Sequence, residues 1–234
     1  MYFGMFDPTI IILIPAMLFA VIAQRKVNKA YNTFSAVQNR NNISGDQAAR
    51  KVLDANGLQN VKIEMTKGRL TDHYDPRQRV MRLSADVYNG TSIAAVSIAA
   101  HESGHAIQHG VGYAFLSIRN AIAPVVNIVS MLSWPLLIIG ILVGNLGRAA
   151  AGNFIFDLGI FFFAGVVIFH LITLPVELNA SKRATKQLQD LNIVTDGELV
   201  GAKKVLSAAA MTYVAALASA VASLVRILLI RERD

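Results

Sequence analysis

The chain has 234 residues, 54% hydrophobic and 16% charged, a balance too apolar for an ordinary soluble domain and typical of the membrane class. A formal charge of +7 invites a nucleic-acid reading, but the Lys and Arg form no patch interleaved with aromatics, and apolar runs of membrane length separate them. No cysteine is present, which excludes disulfides, thiolate ligands and a cysteine nucleophile and leaves His, Asp and Glu to hold any metal.

A helix needs about 20 mostly apolar residues to cross a bilayer core. Four stretches approach that length: Tyr2 to Ala23, Ala121 to Asn145, Phe154 to Val176 and Ser207 to Ile230. The first lacks a basic leader, and Arg25, Lys26 and Lys29 follow its apolar run, so it reads as a retained anchor rather than a signal peptide.

After the anchor, Lys26 to Asn39 has helical character. Ser44 with Gln47 forms a capping-box pattern that opens a second helix, and Gly57 closes it. Val61, Ile63 and Met65 alternate, Lys67 and Gly68 mark a turn, and Val80 to Leu83 alternates again after Asp75 and Pro76. This pattern predicts a small antiparallel sheet. Asn89 to Ser92 then caps a helix that runs through an apolar stretch into HESGH and ends near Gly110.

On that helix His101 and His105 are four residues apart, so both imidazoles leave one face about 6 Å apart along the axis and can share one ion. Glu102 beside them can accept a proton from a water that the ion acidifies and pass it to a leaving amine. A catalytic zinc wants a third protein ligand and an open position. His109 lies about 12 Å along the helix from His101, too far to share a tetrahedral ion, and reads as an exposed or supporting residue. His170 sits inside the third apolar run, where packing explains it as well as function does.

Glu177 is the best third candidate, because it directly follows the third apolar run. Residues 24–119 hold thirteen Lys and Arg and residues 177–206 hold five, whereas the link near Gly147 holds only Arg148. The positive-inside rule therefore puts both richer connections in the cytoplasm, so Glu177 and HESGH fall on one side of the membrane. Pro175 removes a backbone donor just before it, which loosens the span there. Elsewhere in the spans, Ala215, Ser219 and Ser223 recur every four residues and suit close helix packing.

The run HESGHAIQH, preceded by DHYDPRQRVMRLS and followed by ELNASKRA and KKVLSAAAMTYVAA, resembles the YugP-like bacterial membrane neutral zinc metallopeptidases over nearly the whole chain. More distantly it is similar to the HtpX and CAAX prenyl protease group, whose HExxH helix is joined by a glutamate from ExxAD. Glu177 to Ser181 fits that pattern except that Ser181 stands where the group has an acid supporting a zinc histidine. The resemblance implies peptidase activity and makes Arg79 to Ser84 the edge strand on which an extended peptide is laid. A donor for the developing oxyanion could come from Tyr213, Arg183 or His73, and the sequence does not choose among them.

These readings describe a mainly α, polytopic membrane protein with about four transmembrane helices and a small α+β zincin-like cytoplasmic segment. Residues 1–23 form the anchor and 24–119 the segment with the HExxH helix. Residues 120–234 hold the remaining spans, with a loop at 177–206 supplying Glu177. One catalytic zinc on His101, His105 and Glu177, with Glu102 as base, would hydrolyse membrane or membrane-proximal proteins, with the active site facing the cytoplasm of a bacterial inner membrane. Two alternatives are a non-catalytic zinc-binding scaffold and a site-2-type intramembrane protease. The latter fits poorly, because only about eight apolar residues precede His101 on its helix, short of a span.

Overall fold

The computed structural model describes residues 8–232; the expected start of the first span at Tyr2 lies outside them. A short 3₁₀ turn, Pro8–Ile12, leads into α1 (Leu13–Ser35), followed by α2 (Gly45–Ala55), β1 (Lys62–Thr66), β2 (His73–Asp75) and β3 (Val80–Ser84). Then come α3 (Ala85–Tyr88), α4 (Ile93–Gly110), α5 (Ala114–Asn145), α6 (Ala149–Asp190) and α7 (Asp196–Arg231). The architecture is mainly α, with four helices long and apolar enough to cross a membrane and one three-stranded sheet.

Those four helices outrun the apolar stretches that announce them. A helix of 42 residues, the length of α6, extends about 63 Å, roughly twice the hydrocarbon thickness. The segment 177–206, expected as a loop, is therefore mostly helix: α6 continues through Pro175 to Asp190, and α7 opens at Asp196.

The chain divides into two compact units, and the divisions fall inside α1, α5, α6 and α7. One unit holds the described parts of Met1–Ile22, Ile118–Leu174 and Tyr213–Asp234. Its core gathers Leu137, Phe156, Phe163, Val167, Ala220 and Ile227. Small residues set its closest approach: a side-chain carbon on Gly152 would collide with the Gly144 nitrogen, and one on Gly140 would lie 2.7 Å from that of Phe156. Ala215, expected to pack, is buried, but the tightest backbone contact belongs to these glycines. Asp157, one of the few charges in the spans, is paired by Arg231 at 2.6 and 3.1 Å.

The other unit comprises Ala23–Ser117 and Pro175–Thr212. Its α2 starts where the capping box places it, with the Ser44 N–H donating to Gln47 Oε1 at 3.2 Å. Helix α4 starts at Ser92, whose hydroxyl oxygen accepts from the Ala95 N–H at 3.1 Å. Two apolar clusters flank α4. Ile93, Val96, Ala100 and Ile107 pack with α2, α6 and α7, while Ala99 and Ala106 pack with Leu53, Val61, Met81, Leu83 and Val87. Being covered on both sides, α4 is buried along most of its length, and its polar residues need partners.

The sheet departs from the sequence reading in two ways. Its order is β1-β3-β2, with β1 parallel to β3 and only β2 antiparallel to it. Alternation reports which face a residue occupies but carries no information on strand direction. The hairpin partner of β3 is the three-residue β2, joined through a turn in which Asp75 Oδ1 accepts the N–H groups of Arg77 and Gln78. Consequently β3 is the central strand and cannot be the edge that receives a peptide; among the described residues the outer strands are β1 and β2. Arg82 on β3 marks this centre by pairing with Glu64 of β1 and Asp75 of β2.

Where α4 meets α6, a side-chain carbon on Gly104 would lie 2.6 Å from the carbonyl oxygen of Ala180. A Gly→Ala change in an open helix normally stabilises by about 0.5–1 kcal/mol. Here we predict the opposite sign, with Gly104→Ala lowering stability by about 1–3 kcal/mol in thermal or denaturant unfolding of the detergent-solubilised protein. A stabilised variant would disprove the close approach.

Candidate metal centre

The α4–α6 contact is made by two matching stripes. On α4, His101, Gly104, His105 and Gln108 follow the i, i+3, i+4, i+7 spacing of one helix face; on α6, Glu177, Ala180, Ser181 and Ala184 do the same. With Gly104 seated on Ala180, the residues on either side must face each other. Glu177 Oε2 lies 3.3 Å from His101 Nε2 and 3.4 Å from His105 Nε2, and the two imidazole rings meet edge-on at a centroid distance of 4.8 Å.

One donor atom from each of these three residues lies within 4.8 Å of the others. Four donors about 2.1 Å from a tetrahedral zinc sit roughly 3.4 Å apart; the two histidine–carboxylate spacings match this, while donor separations of up to 4.8 Å within the group must narrow for all three to bind one ion. Two imidazoles and a carboxylate are also a donor set that a catalytic zinc accepts. The side chains of His101, His105 and Glu177 are 15%, 12% and 4% exposed, sheltered yet reachable from one side. Burial alone would lower the proton affinity of His105, but the Glu177 hydrogen bond and the nearby Glu102 charge outweigh it and push the imidazole up from its usual range. Positive charge is therefore favoured at this point.

Each histidine is also held from behind. His101 Nδ1 lies 3.2 Å from Ser181 Oγ, a neutral contact that orients the ring. His105 Nδ1 lies 3.0 Å from Gln108 Oε1, and Gln108 donates to Val176 O at 2.8 Å and Asn179 Oδ1 at 3.0 Å. Sequence reasoning missed Gln108. The signal was there, since Gln108 is seven residues beyond His101 and continues the metal-facing stripe.

Glu102 is buried, at 9% residue exposure. Among the described residues no buried side-chain nitrogen or oxygen lacks a partner. Glu102 has no hydrogen-bond or ion-pair partner among them either, so its carboxylate oxygens must keep contact with solvent. A carboxylate beside the histidine pair, open to water and uncommitted to any other group, can exchange protons there.

The remaining histidines lie outside this group. His109 Nδ1 is 2.9 Å from the Tyr74 hydroxyl, which ties β2 to α4. His73 on β2 is exposed and bonded to Thr71 O, and His170 lies in the other unit on α6. Of the remaining oxyanion candidates, Arg183 donates to Asn179 Oδ1 at 2.8 Å, and Tyr213 falls in the other unit.

Residues 9–232 match the family described as "Putative neutral zinc metallopeptidase". The chain is 43% identical over 221 residues to the "Putative membrane protease YugP" of Bacillus subtilis (strain 168), covering 94% of this chain and 95% of the relative. No solved structure matches. Together with the four apolar helices, this relative points to a membrane protein, and the family description suggests zinc as the metal for the His–His–Glu group. With the match spanning nearly its whole length, the chain belongs to the neutral zinc metallopeptidase family.

Proposed function

We propose that this protein is a membrane-anchored zinc endopeptidase in which His101, His105 and Glu177 hold one zinc ion and Glu102 is the general base. The observation that carries the reading is the His–His–Glu triangle, at spacings of 3.3 and 3.4 Å, with an uncommitted carboxylate beside it. A zinc ion held there supplies Lewis acidity towards a water and a peptide carbonyl.

The chain's own groups do the rest. The Glu102 carboxylate takes a proton from the attacking water and returns it to the departing amine. Ser181 and Gln108 keep the two imidazoles turned towards Glu177. A closed structural site has no use for a free carboxylate at Glu102, which favours catalysis over a scaffold role.

The sheet supports a route for the substrate. Among the described residues β2 is paired on one side only, and the Tyr74–His109 bond fastens it to α4. An extended peptide can add to that open edge by backbone hydrogen bonding. Glu177 directly follows the apolar run of α6, which supports chemistry close to a bilayer surface and membrane or membrane-proximal proteins as substrates. The Lys and Arg bias of residues 24–119 and 177–206 supports a cytoplasm-facing site in a bacterial inner membrane.

Two substitutions divide the roles. Glu102→Gln should retain stoichiometric zinc by metal analysis while peptide cleavage falls by about 10²–10⁴-fold; undiminished cleavage would refute the base assignment. Glu177→Ala should lose most of its zinc and its activity together, and a variant that keeps full zinc occupancy would remove Glu177 from the ligand set. Orientation is checked by labelling a single cysteine at Asn60 in a chain that otherwise has none. We expect membrane-impermeant maleimide to reach it in inside-out but not right-side-out vesicles, and the reverse pattern would overturn the cytoplasmic assignment.

A further inference from the structure

Gln108 is fully buried, where every unused polar position of an amide costs stability. Its oxygen and nitrogen have nearly the same shape, so the direction of the amide must be read from partners that can play only one role. Two such partners are present. The carbonyl of Val176 only accepts, so the Gln108 atom 2.8 Å away is the NH₂ group. The Arg183 guanidinium only donates, so the Asn179 atom 2.8 Å from its Nε is the oxygen. That oxygen in turn requires a donor from Gln108 at 3.0 Å.

Both ends therefore give one orientation. Gln108 Oε1 faces His105 Nδ1 at 3.0 Å, so Nδ1 carries a proton and Nε2 remains the atom that can offer a lone pair. His101 is under no such control, because the Ser181 hydroxyl beside its Nδ1 can donate or accept.

We propose that Gln108 is a positioning residue that commits His105 to the Nδ1–H tautomer, the form able to ligate through Nε2, and that Arg183 secures the amide through Asn179. This rests on the reading of His105 as a zinc ligand. The tautomer of a metal-bound imidazole is set by the bond its other nitrogen makes. Here that bond is fixed by the Val176 carbonyl and, two hydrogen bonds further away, by the Arg183 cation.

Two variants of the full-length protein in detergent separate tautomer control from simple helix stapling. Gln108→Met keeps the length and removes every polar contact. Gln108→Glu keeps an acceptor for the His105 N–H but loses the donors to Val176 and Asn179. Zinc affinity by chelator competition should fall about 10–100-fold in Gln108→Met and stay near wild type in Gln108→Glu, while both lower the unfolding temperature of the zinc-stripped protein. Equal losses of affinity in the two variants, or none in Gln108→Met, would overturn the proposal.

Arg183→Met, at a partly exposed position, tests the relay from its far end and stands if the buried variants do not fold. It should lower zinc affinity by a smaller factor than Gln108→Met without lowering the unfolding temperature of the stripped protein; unchanged affinity would overturn the role of Arg183. Wild-type protein that takes up no zinc would instead sink the ligand reading itself.

Discussion

The close approach of α4 to α6 at Gly104 and Ala180 is the constraint on which the site depends. With backbone against backbone there, the next residues on each face have no freedom to miss one another. His101 and His105 flank the glycine, while Glu177 and Ser181 flank the alanine. A metal site needs its donors held to within about half an ångström, and two regular helices in van der Waals contact provide that more reliably than loops do. The buried polar cost of such a face is met locally, by Ser181 and Gln108 behind the two rings.

Much of this was legible in the chain because helical spacing is strict. Two histidines four apart must share a face, and the capping residues at Ser92 set the helix that bears them. Glu177 was found by a different route, from its place at the end of an apolar run. The same spacing puts Gln108 on that face, but its role stayed hidden because a glutamine on a helix is ordinarily solvated. Its partners Val176 and Asn179, and Arg183 behind Asn179, lie on another helix about 70 residues away in the chain. Burial on both flanks of α4 is a tertiary fact, and only that fact turns a polar residue into a constrained one.

The sheet was read less well, for a physical reason. Alternating side chains specify faces and leave direction and neighbour order open, so a parallel β1–β3 pair and a three-residue β2 produce the same pattern as a simple hairpin. The apolar runs had a similar blind side. Hydropathy marks where a helix suits lipid and says nothing of where it ends, so the polar last third of α6 read as a loop although the helix continues through Pro175 to Asp190.

That continuity bears on motion. Every candidate donor sits in the interior of a regular helix, α4 or α6, where local opening would break consecutive backbone hydrogen bonds and expose buried apolar side chains. Strand β2 is different: three residues long, paired with a neighbouring strand along one side, held to α4 by the Tyr74–His109 bond, and entered through the connection at Lys67 to Asp72. Fluctuation costs less there than in the helices, so stiffly held candidate donors sit beside a more pliant strand, whose breathing can proceed without disturbing the distances among His101, His105 and Glu177.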